Sequence, residues 1–515
     1  MPESPIECFV CETPDARLPL TGNLDRMNHS PLPCRPKSSV PDSAPDHAIE
    51  LRSRCRGVVP LDAIWSPWMM QLAAEADQVK QLIEFHGSPV NVLSTDPMRS
   101  NINDLQKVAE RANVPLQIHF ARKANKCAEF VRTGLLESIG FDVASESELE
   151  ETLDELHGSP QHPSKDPILC TAAVKPASLI RSCVLNDVVL VIDNKDELAT
   201  LRETLAGLGP TEPKARIAFR LQHCPTKFPG LPSRFGMPAD ELTLLAKSLC
   251  DESRIQVVGI HFHVHRSHEQ FAPSFTKALI EEALHVVDRV RGLGHTVAWL
   301  DIGGGFPVNY LRDQMQWQRF LTKALASVET NGRFASDRKL TWNQRPLADI
   351  DPAWQPLSAA NWIREVLTPS LANEINRREL ILKCEPGRAL LDCCGLTIAE
   401  VLFVKRDQNR NHLIGLMMNS SQCRTTRDDF LVDPIVISAS KASAEQTKKT
   451  DHAEMEGYFV GGYCTESEYL MQRKFRFPNG ISRGDFVLIP NTAAYQMHFA
   501  ESRAHQMLLA ENVFI

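Results

Sequence analysis

No apolar run in the sequence reaches the roughly 20 residues that a membrane-crossing helix needs. The N-terminus also lacks a basic segment followed by an apolar one, so neither insertion nor export is expected and the chain reads as cytoplasmic. Positive charge is not in excess: 56 Lys and Arg stand against 64 Asp and Glu, giving a formal net charge of −8. With the two signs interspersed there is no basic surface for nucleic acid, which is excluded as an expected partner. Metal-ligand spacing is equally scarce. Cys8-Phe-Val-Cys11 has the spacing of half a zinc site, but Cys34 and Cys55 stand alone and no second close pair follows, so no metal is expected. Fourteen cysteines spread over 515 residues, without an export signal, read as reduced thiols and not as a disulfide framework.

The chain does have an ordered succession of elements after a proline-rich start. Nine prolines fall in the first fifty positions with no apolar periodicity, and residues 1–55 read as a disordered extension. Residues 56–97 follow as a helix, with Trp65, Met69, Leu72, Val79 and Ile83 near helical spacing, and a short strand at Ser88–Ser94. Over residues 98–394 eight short apolar runs alternate with amphipathic stretches. The runs are Leu116–Ala121, Gly140–Ala144, Ile168–Thr171, Val188–Ile192, Ala215–Leu221, Val257–Val264, Val297–Ile302 and Leu380–Glu385. That alternation predicts an α/β fold, a (β/α)8 TIM-like barrel, interrupted by an insertion at about 310–375 that is too long for a single connection. From 395 to 515 the texture becomes β-rich and predicts a second, β domain.

Polar and glycine clusters fall at the ends of the proposed barrel strands, which is the rim where barrels carry their chemistry. In Pro115-Leu-Gln-Ile-His-Phe-Ala-Arg-Lys123, Leu116, Ile118 and Phe120 share one parity, and Gln117, His119, Ala121 and Lys123 share the other, less apolar one. Lys123 is therefore the candidate reactive residue. Asp301-Ile-Gly-Gly-Gly-Phe-Pro307 offers three successive glycines whose N–H groups can approach an anion without Cβ obstruction, although the same glycines would serve a plain tight turn. Cys384-Glu-Pro-Gly-Arg388 pins a carboxylate and a guanidinium beside a bend, where a surface ion pair is the plainer reading. His261 and His263 share a face of the sixth strand, and either would also be at home as a core histidine. A lysine, a glycine cradle, an arginine, a carboxylate and a histidine make the set that pyridoxal 5′-phosphate requires.

Taken in order, Ala121-Arg-Lys-Ala-Asn125, Phe141-Asp-Val-Ala-Ser-Glu-Ser-Glu-Leu149, Ser233-Arg-Phe-Gly236, His261-Phe-His-Val264, Asp301–Pro307, Glu385-Pro-Gly-Arg388, Gly462-Tyr-Cys464 and Ala494-Tyr495 resemble the serial motifs of the fold type III pyridoxal-phosphate decarboxylases, the ornithine, diaminopimelate and arginine decarboxylase group. The likeness runs from about Ser88 to the C-terminus. It implies that Lys123 carries pyridoxal 5′-phosphate as a Schiff base and that His263 stacks on its ring. It further implies that Gly303, Gly304, Gly305, Arg388 and Tyr495 hold the phosphate, that Glu385 pairs with the ring nitrogen, and that Arg220 stands near the cofactor. Cys464 would act from the second subunit of a head-to-tail homodimer with shared active sites. The implied activity is α-decarboxylation of an amino acid such as diaminopimelate, ornithine, lysine or a related diamino acid, through a quinonoid.

Two stretches depart from the family pattern. Where it has Gly-Ser after the second histidine, with the serine on phosphate, this chain has His265-Arg-Ser267, so Arg266 or Ser267 takes that place. After Cys464 the chain reads Thr465-Glu-Ser-Glu468, which leaves Glu466 and Glu468 to compete for the acidic role. Met417–Arg427 lacks the usual substrate-recognition sequences, and Arg424 there joins Glu466 and Glu468 as a candidate substrate contact. Three other readings of the same chain stay open: an amino-acid racemase of this fold, which the carboxylate of Glu385 disfavours because racemases place an arginine at the ring nitrogen; a decarboxylase of a siderophore-type conjugate; and a non-catalytic regulatory homologue.

Overall fold

The computed structural model describes residues 50–159, 166–209, 214–223, 233–264, 272–326, 353–408, 410–424, 432–439, 454–471 and 473–515. The chain divides into two units, 1–44 and 45–515, and every described residue belongs to the second. Cys8, Cys11, Cys34, Arg266 and Ser267 lie outside the described residues.

The first strands are β1 (Arg56–Gly57) and β2 (Val90–Leu93). Then come β3 (Leu116–Ala121), β4 (Gly140–Val143), β5 (Ile168–Cys170), β6 (Val189–Ile192), β7 (Ala215–Gln222), β8 (Met237–Pro238), β9 (Ile255–His261), β10 (Trp299–Asp301) and β11 (Ile381–Cys384). All but the two-residue β8 form a closed parallel ring in the order β3-β4-β5-β6-β7-β9-β10-β11, with β11 returning to β3. This is the (β/α)8 barrel, and its eight strands coincide with the eight apolar runs of the sequence to within a few residues at each end.

Strand parity sorts the side chains. Ile168, Leu190, Ile217 and Phe219 pack outward against the helices in the large core. Their neighbours Leu169, Val189, Val191, Ala218 and Val258 turn inward around Trp299. The inside also holds charge. Lys383 is fully buried, 3.2 Å from the Asp166 carboxylate, whose other oxygen is held by Arg216, and 4.4 Å from the Trp299 ring, so the barrel floor is an ion-pair cluster packed on an aromatic. Gly259 is required here: a Cβ would stand 2.4 Å from the Trp299 ring.

The second sheet contains β12 (Gly395–Arg406), β13 (His412–Leu416), β14 (Ile435–Ile437), β15 (Met455–Val460), β16 (Phe475–Phe477), β17 (Phe486–Pro490) and β18 (Glu511–Phe514). It also recruits β1, paired with β16, and β2, paired between β12 and β18. The expected β domain of 395–515 is thus completed by strands from the N-terminal segment, because β2 is buried at every residue and needs a partner on each edge. Of the extension expected over residues 1–55, the described end is packed: Leu51 and Cys55, one helical turn apart, are both in the second core, while residues 1–49 lie outside the described residues. The single helix expected before β2 is two, Pro67–Ala74 and Ala76–His86. The apolar phase runs on across the break, since Leu72 and Val79 are seven residues apart, and the division lies instead in the backbone of Glu75, whose φ of −106° and ψ of 74° leave the helical region.

The insertion is divided between the two cores. Helix Gln314–Ala326 stacks Trp317 on Phe320 within the second core, whereas helices Ala359–Val366 and Pro369–Arg377 pack Trp362, Ile363, Leu371 and Ile375 on the barrel. Residues 327–352 lie outside the described residues.

Candidate active site

β3 ends at Ala121, and Lys123 stands in the single 3-10 turn Arg122–Ala124 at the C-terminal mouth of the barrel. Its parity carries it inward. Lys123 Nζ donates to Asp142 Oδ2 at 2.8 Å, and Thr171 Oγ1 donates to the other oxygen, Oδ1. Burial favours the free amine, but the anionic Asp142, followed by Tyr495 and Glu385, outweighs it and raises the lysine above its ordinary value. Burial and Glu385 push the Asp142 carboxyl up, against the pull of Lys123. Asp142 was not among the residues singled out from sequence. Its signal was available, as a lone charge on the inner parity of the otherwise apolar β4.

Opposite this pair the loop after β10 meets the end of β11. Gly303 and Gly305 have φ of 66° and 75°, in the left-handed region. A Cβ on Gly303 would stand 2.7 Å from His263 Nδ1, and one on Gly304 would stand 2.6 Å from the Glu385 carbonyl oxygen. The glycines are therefore required by close approach as well as by conformation. Gly304 N–H donates to His263 Nδ1 at 3.1 Å, which leaves the ring proton on Nε2. Burial, then Lys123 and Arg220, hold His263 well below its ordinary value, so it presents a neutral flat ring. Glu385 is buried beneath, its carboxylate 3.3 and 3.4 Å from His261 Nε2.

Arg220, on the inner face of β7, lies 3.6 Å from Asp193 and 4.3 Å from the Phe235 ring centroid. Asp193 Oδ1 also accepts the Gly236 N–H at 3.0 Å, so the Ser233–Gly236 motif is the clamp that holds this arginine. Tyr495 comes from the β domain. Its N–H donates to the Ala124 carbonyl at 2.7 Å, while Asn125 Nδ2 donates to the Ala493 carbonyl at 2.8 Å, fastening this loop to the lysine turn. Arg388 lies 5.5 Å from the Tyr495 ring centroid, and a Cβ on Gly387 would meet the Tyr495 hydroxyl at 2.8 Å.

Lys123, Arg220, His263, Gly303–Gly305, Glu385, Arg388 and Tyr495 thus converge on one mouth. The remaining candidates lie on the β domain. Cys464 and Glu466 are exposed, with Cys464 N–H directed at His505 Nε2 at 3.4 Å. Glu468 turns inward: its two oxygens accept the Ser420 N–H and hydroxyl, each at 2.7 Å, so of the two competing acids Glu466 is the one that faces outward. Arg424 donates to the Tyr469 carbonyl at 3.3 Å.

Pyridoxal 5′-phosphate can be tested against these residues. A Cβ at Gly303 or Gly304 would fill the cradle, the Glu385 Oε1 and Asp301 Oδ2 atoms are buried without a hydrogen-bond partner among the described residues, and Lys123 faces a carboxylate that accepts its hydrogen bond. The donor set fits that group.

Residues 99–341 match the family model of the pyridoxal-dependent decarboxylase pyridoxal binding domain. The chain is 27% identical over 429 residues to the uncharacterized protein y4yA of Sinorhizobium fredii, covering 82% of this chain and 86% of that protein. It is 24% identical over 426 residues to the diaminopimelate decarboxylase of Corynebacterium efficiens, covering 80% of each. Among solved structures, the diaminopimelate decarboxylase of M. jannaschii superposes with a TM-score of 0.63 at 17% identity, covering 84% of this chain and 88% of that one.

Proposed function

We propose, for a chain whose residues 99–341 belong to the pyridoxal binding domain family of the pyridoxal-dependent decarboxylases, that it removes the α-carboxylate of a diamino acid or of a closely related amino-acid derivative. One observation carries the reading: a barrel-mouth lysine paired with Asp142 and set among a glycine cradle, the flat ring of His263 and the buried carboxyl group of Glu385. Bound there, pyridoxal 5′-phosphate supplies an electron-accepting ring for the pair left behind when CO2 departs.

The chain's own residues have separable tasks. Lys123 would hold the cofactor through its amine and yield that place to the substrate amine, with Asp142 oriented to accept the ammonium's hydrogen bond while the exchange occurs. Gly303–Gly305, Arg388 and Tyr495 would hold the phosphate, the glycines by backbone N–H groups and Arg388 by charge. His263 would cover one face of the ring. Glu385 would face the ring nitrogen, where an anion favours the protonated ring and so the better electron sink. Cys464 of the partner subunit, in a homodimer with shared sites, would return a proton to Cα, and Glu466 beside it would meet the far charge of the substrate. Their exposure in the single chain supports this arrangement. Likeness to a diaminopimelate decarboxylase supports the substrate class, and Glu385 in place of an arginine supports decarboxylation over racemisation.

The test is a CO2-release screen over D- and L-ornithine, lysine, diaminopimelate and citryl-diamino acids, with optical rotation followed in parallel. At least one substrate should yield CO2 and the matching amine in equal amounts, and Lys123→Ala should yield none. Loss of optical rotation without CO2 would replace the reading with a racemase. Silence across the screen from a cofactor-loaded protein would remove the substrate class.

A further inference from the structure

His261 has no task in holding the cofactor, yet it is fully buried at the end of β9 with Nε2 facing both oxygens of Glu385 at 3.3 and 3.4 Å. Asp301 is its register partner on β10, and one polar atom from each of His261, Asp301 and Glu385 lies within 4.8 Å of the other two. Asp301 Oδ1 accepts the Gly303 N–H at 2.8 Å. Among the described residues its Oδ2 is buried without a hydrogen-bond partner, as are Glu385 Oε1 and His261 Nδ1. Two enclosed carboxyl groups this close do not both ionise, because each charge raises the cost of the other and neither has water to offset it. The environment decides which one keeps the proton. Glu385 has an N–H donor at Nε2 of His261 and the cation of Lys123 in its field, whereas Asp301 has a single backbone donor on one oxygen and the field of Lys383, a cation already paired with Asp166 at 3.2 Å.

We propose that His261 is the positioning residue that keeps Glu385 ionised and fixed, by donating its Nε2–H to that carboxylate, and that Asp301 beside them stays a neutral acid so that the three together carry one negative charge. The ionisation tendencies agree. Burial keeps His261 below its ordinary value, against the pull of Glu385, so it is a neutral donor. Burial and then Glu385 push Asp301 well up. Glu385 itself stays below the usual carboxylate range despite its burial, through His261, whose hydrogen bond it accepts, and then the cation of Lys123. The arrangement has a consequence for the proposed reaction and rests on that reading there: a Glu385 that lost its charge would no longer favour a protonated ring.

The experiment is isotope-edited infrared spectroscopy of the full chain, stripped of cofactor, at neutral pH. In the wild-type background Asp301→Asn should remove a protonated-acid band, and Glu385→Gln should remove an ionised-carboxylate band and no acid band. His261→Leu should add an acid band that disappears in the His261→Leu/Glu385→Gln double variant. His261→Gln, whose amide places an N–H near the position of Nε2, should restore the wild-type spectrum. In the cofactor-loaded enzyme, with whichever substrate the screen identifies, His261→Leu should lower kcat about 10- to 100-fold with little change in KM, and His261→Gln should recover most of it. An acid band lost on Glu385→Gln in the wild-type background, or no change on Asp301→Asn, overturns the proposal whether or not the His261 variants fold. Because the infrared arm uses neither cofactor nor substrate, it stands or falls apart from the decarboxylase reading.

Discussion

At the scale of single residues the Lys123–Asp142 pair has a consequence that can be measured before any turnover. Only the unprotonated amine can capture the cofactor, and Asp142, with Tyr495 and Glu385, raises the lysine above its ordinary value. At pH 8 an ordinary lysine is free amine in only about 1 molecule in 300, and Lys123 in the stripped protein is below that. The sign follows directly: a raised value means the reactive form grows with pH throughout the neutral range. Capture of pyridoxal 5′-phosphate should therefore accelerate about tenfold per pH unit between pH 7 and 9. Asp142→Asn removes the largest upward influence and leaves burial, which favours the amine, in command. Stopped-flow absorbance should show capture by Asp142→Asn at pH 7 that is at least about tenfold faster than wild type, with a shallower pH slope. Equal or slower capture would mean that Asp142 does not control the lysine's proton.

At the scale of elements, much of this site was legible because strand parity is a strict two-residue rule. Leu116, Ile118 and Phe120 share one parity and Lys123 the other, so when the first set packs on the helices Lys123 points inward, and the same rule places Arg220 beside Ala218 and Glu385 beside Lys383. The glycine run after β10 was legible for a similar reason, since a chain that turns at a strand end and passes close to its neighbours tolerates no side chain there. What could not be read was partnership across strands. Asp142, Thr171 and Asp193 each lie on strands or strand ends whose spacing in sequence says nothing of which residue they will face. In the sequence His261 reads only as one of two histidines on a face, because its meaning depends on a register with β10 and β11 that no local pattern encodes. The short strands β14, β16 and β18, three or four residues each, carry too few alternations for a period to register. β2 is legible as a strand, but its place inside a sheet formed mainly by the far end of the chain is a tertiary fact.

At the scale of the whole molecule the two domains are fastened at the site itself, through Tyr495 N–H on Ala124 and Asn125 on Ala493. The barrel supplies Lys123 and the β domain supplies Tyr495 from the same chain, while Cys464 and Glu466 lie exposed elsewhere on the β domain. A two-fold dimer would turn that exposed segment toward the partner's mouth and give two equivalent composite sites. Homodimers of Lys123→Ala and of Cys464→Ala should each be severely impaired. After equal mixing and exchange, half the dimers are hybrids with one intact site each, so activity should return to roughly a quarter of wild type. If mass spectrometry finds the hybrids formed and no activity returns, both residues of a working site belong to one chain and Cys464 has another role.

The account depends most on Lys123 being the residue that holds pyridoxal 5′-phosphate at the barrel mouth. Borohydride reduction of the cofactor-loaded protein, followed by proteolysis and peptide mapping, tests this directly. The pyridoxyl label should be found on Lys123, at about one per chain, and should be absent from Lys123→Ala protein that still shows the wild-type far-ultraviolet spectrum. A label on Lys126, on Lys175 or on any lysine other than Lys123 would contradict the account.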